Sequence, residues 1–186
     1  ILVDVEWNQQ WREKVIAAND PWSEEAHHVN ITPPNLTFET SMQLRFGGRA
    51  IDLKYFGKAH TSGDIFIFLP EEKIAFTGDV AMDRGIPFFG DSDPAEWPGT
   101  DDRLVELPIE RFVAGHGPIG DHDALLQARD FIHSLVANLK TAIQDGQDEG
   151  AASATVSDAL NSQFGDFRGI EGLKDNLPEV YRKLKA

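Results

Sequence analysis

Three short motifs, each following an apolar segment, constrain this chain more than any other feature. They are Gly57-Lys-Ala-His60-Thr-Ser-Gly-Asp64, Phe76-Thr-Gly-Asp79 and Ala114-Gly-His116-Gly-Pro118. Glycine beside a polar residue lets the backbone turn tightly where a strand ends. The pattern therefore predicts that two histidines and one aspartate lie at the rim of a sheet, where metal sites are commonly built.

The candidate metal ligands are His60, Asp79 and His116, because imidazole and carboxylate groups bind zinc and iron in proteins. Asp64 is expected to accept hydrogen bonds from loop N–H groups and so to hold the loop that aims His60. Each motif taken alone is more often structural: a lone histidine near a strand end is usually satisfied by its neighbours, and Thr-Gly-Asp usually caps a loop. The order and spacing of all three motifs favour chemistry.

Together the motifs resemble the C-terminal half of the metallo-β-lactamase-fold hydrolases, over residues 34 to 139 and more weakly over the N-terminal helix. The resemblance implies that His60 binds the first metal, Asp79 bridges both metals and His116 binds the second. It also implies an α/β fold, the family's αββα sandwich, represented mainly by its C-terminal sheet and helices with a helical C-terminal extension. Supporting loop positions in this resemblance are Thr61, Gly63, Asp64, Gly78 and Gly115.

One part of the family pattern is missing, since the sequence contains no His-x-His-x-Asp-His motif. The sequence also has no cysteine, so any metal must be held by His, Asp or Glu. The adjacent pair His27-His28 lacks the required spacing and is expected in a loop or on the surface, as is His122, while His133 is expected on a helix face. The resemblance implies two zinc ions in a complete site, with iron or manganese as alternatives. Each ion would keep two protein ligands here, where catalytic zinc usually has three, so this chain alone is expected to bind metal weakly or not at all.

Three functional hypotheses follow. The leading one is a metal-dependent hydrolase that is incomplete as this chain and needs its N-terminal half, which leaves open whether this chain is itself an enzyme. The second is a truncated, non-catalytic homologue that self-associates as a dimer through an open sheet face. The third is an iron-dependent redox relative of the same fold. The expected partners are accordingly the N-terminal half or a second copy of the chain, and a small-molecule substrate if the site is complete.

Composition removes two classes of partner. The formal net charge of −14 argues against nucleic acid and anionic membranes, which both require a basic surface. No apolar run approaches the roughly 18 residues of a membrane span, and the first residues lack the basic start of a signal peptide. We therefore expect a soluble chain, whose compartment stays open. The missing initial Met suggests a processed chain or part of a longer product.

Periodicity predicts the elements. Val3, Trp7, Trp11 and Val15 indicate an amphipathic helix over 3–18. Alternating residues predict strands over 42–46 and 51–55, whereas 65–69 and 74–76 are predicted to be strands buried on both faces. A further strand is predicted over 109–114, with helices over 101–107, 121–143, 152–163 and 175–185. We expect residues 1–145 to form a partial metallo-β-lactamase-like domain and residues 146–186 a helical extension of the same domain.

The long loop before the helix predicted at 101–107 admits two interpretations. Its apolar residues either line a substrate pocket near Asp79 or pack the loop onto the domain, and the second use is commoner. They are Met82, Pro87, Phe88, Phe89 and Trp97. The acidic residues of this region are expected to be solvated turn and cap residues; these are Asp91, Asp93, Asp101 and Asp102.

Overall fold

Alternation of apolar and polar residues along the chain gives a single six-stranded sheet in the computed structural model, which describes residues 5–19 and 21–186. The strands follow one another across the sheet in chain order. All neighbouring pairs are antiparallel except β4 and β5, which are parallel. The strands are β1 (Ser41–Phe46), β2 (Arg49–Lys54), β3 (Phe66–Leu69), β4 (Ile74–Gly78), β5 (Arg111–Ala114) and β6 (Gly120–Asp121).

The chain divides into two compact units, residues 1–39 and 40–186. The first contains α1 (Val5–Ala18) and α2 (Ser23–His28). Arg12 Nε donates to the carbonyl of Ala26 at 2.9 Å, which joins the two helices. The helix predicted over 3–18 is confirmed from Val5 onward, whereas Val3 and the side chain of Trp7 lie outside the described part. Trp11, on the predicted apolar face, is 51% exposed.

The second unit carries the sheet and four helices. They are α3 (Trp97–Val105), α4 (His122–Gln144), α5 (Glu149–Phe164) and α6 (Leu173–Lys185), with a short 3₁₀ turn over Ile170–Gly172. The long helix predicted over 121–143 is confirmed. Asp121 caps its start, because its Oδ1 accepts from the N–H of Ala124 at 2.9 Å. All five residues of the predicted apolar face of α4 are buried: Leu125, Ala128, Ile132, Leu135 and Leu139.

The two faces of the sheet have different surroundings. Phe66, Phe68, Ala75 and Phe112 point into the core shared with the helices. The opposite face is only partly covered: Leu44 and Phe76 are 41% and 40% exposed. The prediction that 65–69 and 74–76 are buried on both faces is therefore wrong. Both segments are apolar throughout, but burial alternates along β3 and β4 because only one face packs against the core.

Other boundaries also differ from the sequence prediction. Helix α3 begins at Trp97 and not at Asp101, with Pro98 in its first turn, where a missing N–H costs nothing. The two-residue strand β6 was not predicted, because it is too short to show alternation. Among the described residues, no helix has both the length and the apolar character needed to cross a bilayer.

Candidate metal centre

The parallel pairing of β4 and β5 brings two of the three motifs together. The carboxyl ends of parallel neighbours lie at the same sheet edge, so Asp79 after β4 faces the loop after β5 that carries His116. Gly115 N–H donates to the carbonyl of Gly78 at 2.8 Å and joins the two strand ends. Gly78 has a φ of +56°, a left-handed conformation that glycine adopts at little cost.

A short turn presents Asp79. Thr77 is buried, its Oγ1 donates to the carbonyl of Ala81 at 3.0 Å, and its own carbonyl accepts from Val80 N–H at 3.4 Å. Gly115 leaves the space that the carboxylate occupies, because a Cβ on Gly115 would lie 2.3 Å from Asp79 Oδ1. The glycine is thus required by the close approach of the candidate ligand Asp79, not by its own backbone conformation.

His60 lies in the loop between β2 and β3, and Asp64 organises that loop. Asp64 Oδ2 accepts from Thr61 N–H at 2.7 Å, and Oδ1 accepts from Thr61 Oγ1 at 2.8 Å. Thr61 Oγ1 also accepts from Gly63 N–H at 3.1 Å. These three bonds close the loop immediately after His60 and fix the direction of the backbone there.

The three candidate ligands converge on one oxygen. Asp79 Oδ2 lies 3.7 Å from His60 Nε2 and 3.6 Å from His116 Nε2. His60 is largely buried, whereas the side chain of His116 is 79% exposed and stands at the rim. Asp79 Oδ1 is buried, and no described residue forms a hydrogen bond with it. A buried carboxylate oxygen without a donor is costly unless a cation meets it.

The donor set therefore fits part of a metal site and not a whole one. Its chemistry suits zinc, because two neutral imidazole nitrogens and a carboxylate are ordinary zinc ligands. Within the part of the chain that the structure describes, however, no group of three or more His, Cys, Asp or Glu side chains is arranged to hold an ion. Among the described residues each imidazole has only Asp79 beside it, so either ion would have two protein donors, one imidazole and the shared carboxylate.

The remaining histidines do not complete the set. His122 Nδ1 lies 3.2 Å from the carbonyl of Ile109, and His133 Nε2 lies 3.0 Å from Asp102 Oδ1. His27 and His28 end α2 in the first unit. Asp102, predicted to be a solvated cap residue, therefore forms an ion contact with His133 when that imidazole is protonated.

The loop between β4 and α3 packs onto the domain through most of its apolar residues, as the commoner of the two interpretations predicted. Met82, Pro87, Phe89 and Trp97 are buried and pack the loop onto the domain, whereas Phe88 is 61% exposed. Asp101, predicted to be solvated, is 2% exposed and lies inside α3. That prediction is wrong, because the helix begins four residues earlier than expected and turns Asp101 inward.

Two basic residues that the sequence did not indicate reach this region from the C-terminal part of the chain, Arg168 from the segment after α5 and Lys183 from α6. Arg168 Nη2 donates to the carbonyl of Asp83 at 2.9 Å, and a Cβ on Gly117 would lie 2.3 Å from the same nitrogen. Lys183 Nζ donates to the carbonyls of Phe89, Gly90 and Ser92. No local sequence pattern predicts contacts between residues so far apart in the sequence.

Comparison with known proteins gives a consistent picture. A family model described as "Metallo-beta-lactamase superfamily" matches residues 9–116. A metallo-beta-lactamase type 2 from Bacteroides fragilis is 26% identical over 124 residues, which cover 64% of this chain and 50% of that protein. A protein of the same name from Bacillus cereus is 29% identical over 94 residues, covering 48% of this chain and 37% of that one.

Among solved structures, a metallo-beta-lactamase from Pontibacter korlensis superposes with a TM-score of 0.51 at 28% identity, covering 59% of this chain and 54% of that chain. The chain thus spans about half the length of the first relatives that it matches. The mixed α/β fold is confirmed by this superposition and by the sheet itself.

Proposed function

Because the chain belongs to the metallo-beta-lactamase superfamily, we propose that it supplies one part of a metal-dependent hydrolytic site. The observation that carries the proposal is the convergence of His60 Nε2 and His116 Nε2 on Asp79 Oδ2, at 3.7 Å and 3.6 Å. The remaining ligands come from residues that this sequence does not contain, in an N-terminal half or another chain.

In such a site, zinc held in part by His60, Asp79 and His116 would lower the pKa of bound water to about 7 and polarise the electrophile. His60 and His116 each supply a nitrogen lone pair. Asp79 supplies its carboxylate, whose Oδ2 lies near both imidazoles. Gly115 leaves room for that carboxylate, while Asp64 and Thr61 keep the His60 loop closed.

The reaction class that suits this arrangement is hydrolysis of an acyl bond. The named relatives are metallo-beta-lactamases, so a β-lactam is the first substrate to offer, followed by a simple ester and a thioester. Phe88, which is 61% exposed on the loop after Asp79, is proposed to contact the apolar part of the substrate.

The test is a zinc titration that is monitored by calorimetry and by NMR of the imidazole protons. We expect weak zinc binding that shifts the resonances of His60 and His116 together, and that falls at least about tenfold in Asp79→Asn, because the carboxylate serves both sides. His122→Ala is the matched control: it removes an imidazole that lies against a backbone carbonyl, so binding should be unchanged. Zinc binding that is equal in wild type and Asp79→Asn would overturn the proposal.

A second candidate function has an observation in its favour. The face of the sheet that carries Leu44 and Phe76 is partly exposed, although most of its residues are apolar. Cross-strand pairing aligns Leu53, Ile67, Phe76 and Val113 in one row on this face. Such a surface suits a second copy of the chain or an N-terminal half. A self-associating chain that binds no zinc would favour the non-catalytic homologue, and bound iron would favour the redox relative.

A further inference from the structure

The orientation of the His60 ring requires an explanation. A histidine that binds a metal usually donates its other ring N–H to a carboxylate or a carbonyl, which fixes the ring. His60 Nδ1 is buried, yet none of the described residues places a hydrogen-bond partner on it. The ring is therefore held by packing.

Trp97 supplies that packing. The His60 and Trp97 rings lie 5.9 Å apart at an interplanar angle of 77°, the edge-to-face arrangement that aromatic rings favour. Trp97 is fully buried and in turn contacts the ring of Phe89, with centroids 5.7 Å apart. The loop between β4 and α3, which carries Phe89, also contacts the residue before His60, because Asp93 N–H donates to the carbonyl of Ala59 at 2.9 Å.

Lys183, on α6, holds the other side of this loop. Its ammonium group donates to three backbone carbonyls, those of Phe89 at 2.9 Å, Gly90 at 2.6 Å and Ser92 at 2.9 Å. An ammonium group has three donors, so all of them are used. The side chain is 24% exposed, and its ion pair with Glu179 is long, at 4.0 Å. The main role of this charge is thus to bind loop carbonyls.

We propose that Lys183 and Trp97 are positioning residues for His60. Lys183 fixes the loop that carries Phe89, and Trp97, packed on Phe89, sets the plane of the His60 ring in place of a hydrogen bond to Nδ1. The role rests on the proposed function insofar as His60 is a metal ligand. The packing itself exists whether or not metal binds.

The experiment follows the Hε1 resonance of His60, assigned with His60→Asn, first without zinc and then during a zinc titration. Lys183→Met keeps the stem and removes the donors. We expect it to move the His60 resonance away from its wild-type position and to broaden it. Trp97→Leu should remove the ring-current shift altogether. Zinc should bind Lys183→Met about tenfold more weakly than wild type, as when an outer partner of a ligand is lost.

Two controls on α6 separate positioning from general destabilisation. Lys174→Met makes the same chemical change at an exposed position, and Val180→Ala removes buried methyl groups from the same helix. Both should leave the His60 resonance in place at temperatures where the protein is folded. If Lys183→Met does not fold, Lys183→Gln is measured in the same way.

The inference is overturned if the Lys183 variant keeps the wild-type resonance, or if Val180→Ala shifts it equally. A different outcome would contradict the proposed function and leave the positioning role intact. In that outcome Lys183→Met shifts the His60 Hε1 resonance in the absence of zinc, whereas added zinc does not change this resonance in the wild type.

Discussion

Asp101 makes the stability of this protein depend on pH. The residue is 2% exposed within α3, and neither of its buried carboxyl oxygens accepts a hydrogen bond from the described residues. Burial raises the pKa of Asp101 well above 3.8. The nearby indole N–H of Trp97 lowers the pKa of Asp101 and so offsets part of this rise. The indole nitrogen forms no hydrogen bond with the described residues, so its effect on the carboxyl group is electrostatic. The charge of Asp102 adds to the rise, and that of Arg129 opposes it.

The sign and size of the effect follow from proton linkage. The unfolded carboxyl ionises near pH 3.8, whereas the folded one stays protonated to a higher pH, so the folded state binds one more proton between the two. The contribution to the free energy of unfolding is fully present below the unfolded pKa. It falls by about 1.4 kcal/mol for each pH unit above that pKa, until the folded carboxyl ionises.

Asp101→Asn abolishes this titration. The new amide has its own unmet hydrogen bonds, which cost about 1–3 kcal/mol at every pH. The informative quantity is therefore the slope and not the sign. The free energy of unfolding of the variant, minus that of the wild type, should rise with pH at up to about 1.4 kcal/mol per unit.

Urea unfolding, monitored by far-UV circular dichroism at intervals upward from about pH 4, just above the unfolded pKa, measures this slope. Contributions from the other ionisable groups are common to both proteins and cancel in the difference. Asp158→Asn is the matched control, because it makes the same change at an exposed position on α5 and should give a flat difference. A flat difference for Asp101→Asn as well would refute the argument from burial.

Three further outcomes are expected. Gly115→Ala should weaken zinc binding by about 10- to 100-fold, because its Cβ would lie 2.3 Å from Asp79 Oδ1; Gly99→Ala, whose Cβ would meet nothing within 4 Å, should leave calorimetric zinc affinity unchanged, and equal losses would contradict the close approach. Phe88→Ala should raise KM in the completed site without lowering Tm, since the side chain is 61% exposed. An equal loss of Tm and of activity would show that Phe88 packs the loop and does not contact substrate. Phe46→Asp places a charge on an edge-strand residue that is 80% exposed and should reduce self-association in sedimentation measurements, whereas an unchanged sedimentation coefficient would exclude this edge from the contact.

The sequence predicted elements well where periodicity reported burial on one face. The face of α4 around Leu135 is an example, because helical spacing of apolar residues requires a core beside them. It failed for β3 and β4, where apolar residues point both ways. Phe76 is 40% exposed. An apolar side chain favours burial, but the sequence does not show whether another element covers it.

The candidate site was predictable in its ligand motifs and not in its supports. The predicted ligands Asp79 and His116 follow parallel neighbouring strands, which brings them to one sheet edge. The contacts that position His60 are different in kind. Trp97 was one of five apolar residues assigned to a loop, and Lys183 lies more than ninety residues from the carbonyls that it binds. No spacing rule connects residues that meet only after the helices have packed.

The most direct test of the account is zinc bound per chain, measured by elemental analysis after equilibrium dialysis of the wild type, Asp79→Asn and His122→Ala. The account predicts weak binding by the wild type and by His122→Ala, and its loss in Asp79→Asn, because Asp79 is the only ligand that both imidazoles face among the described residues. Zinc bound equally by all three proteins, or by none of them, would contradict it.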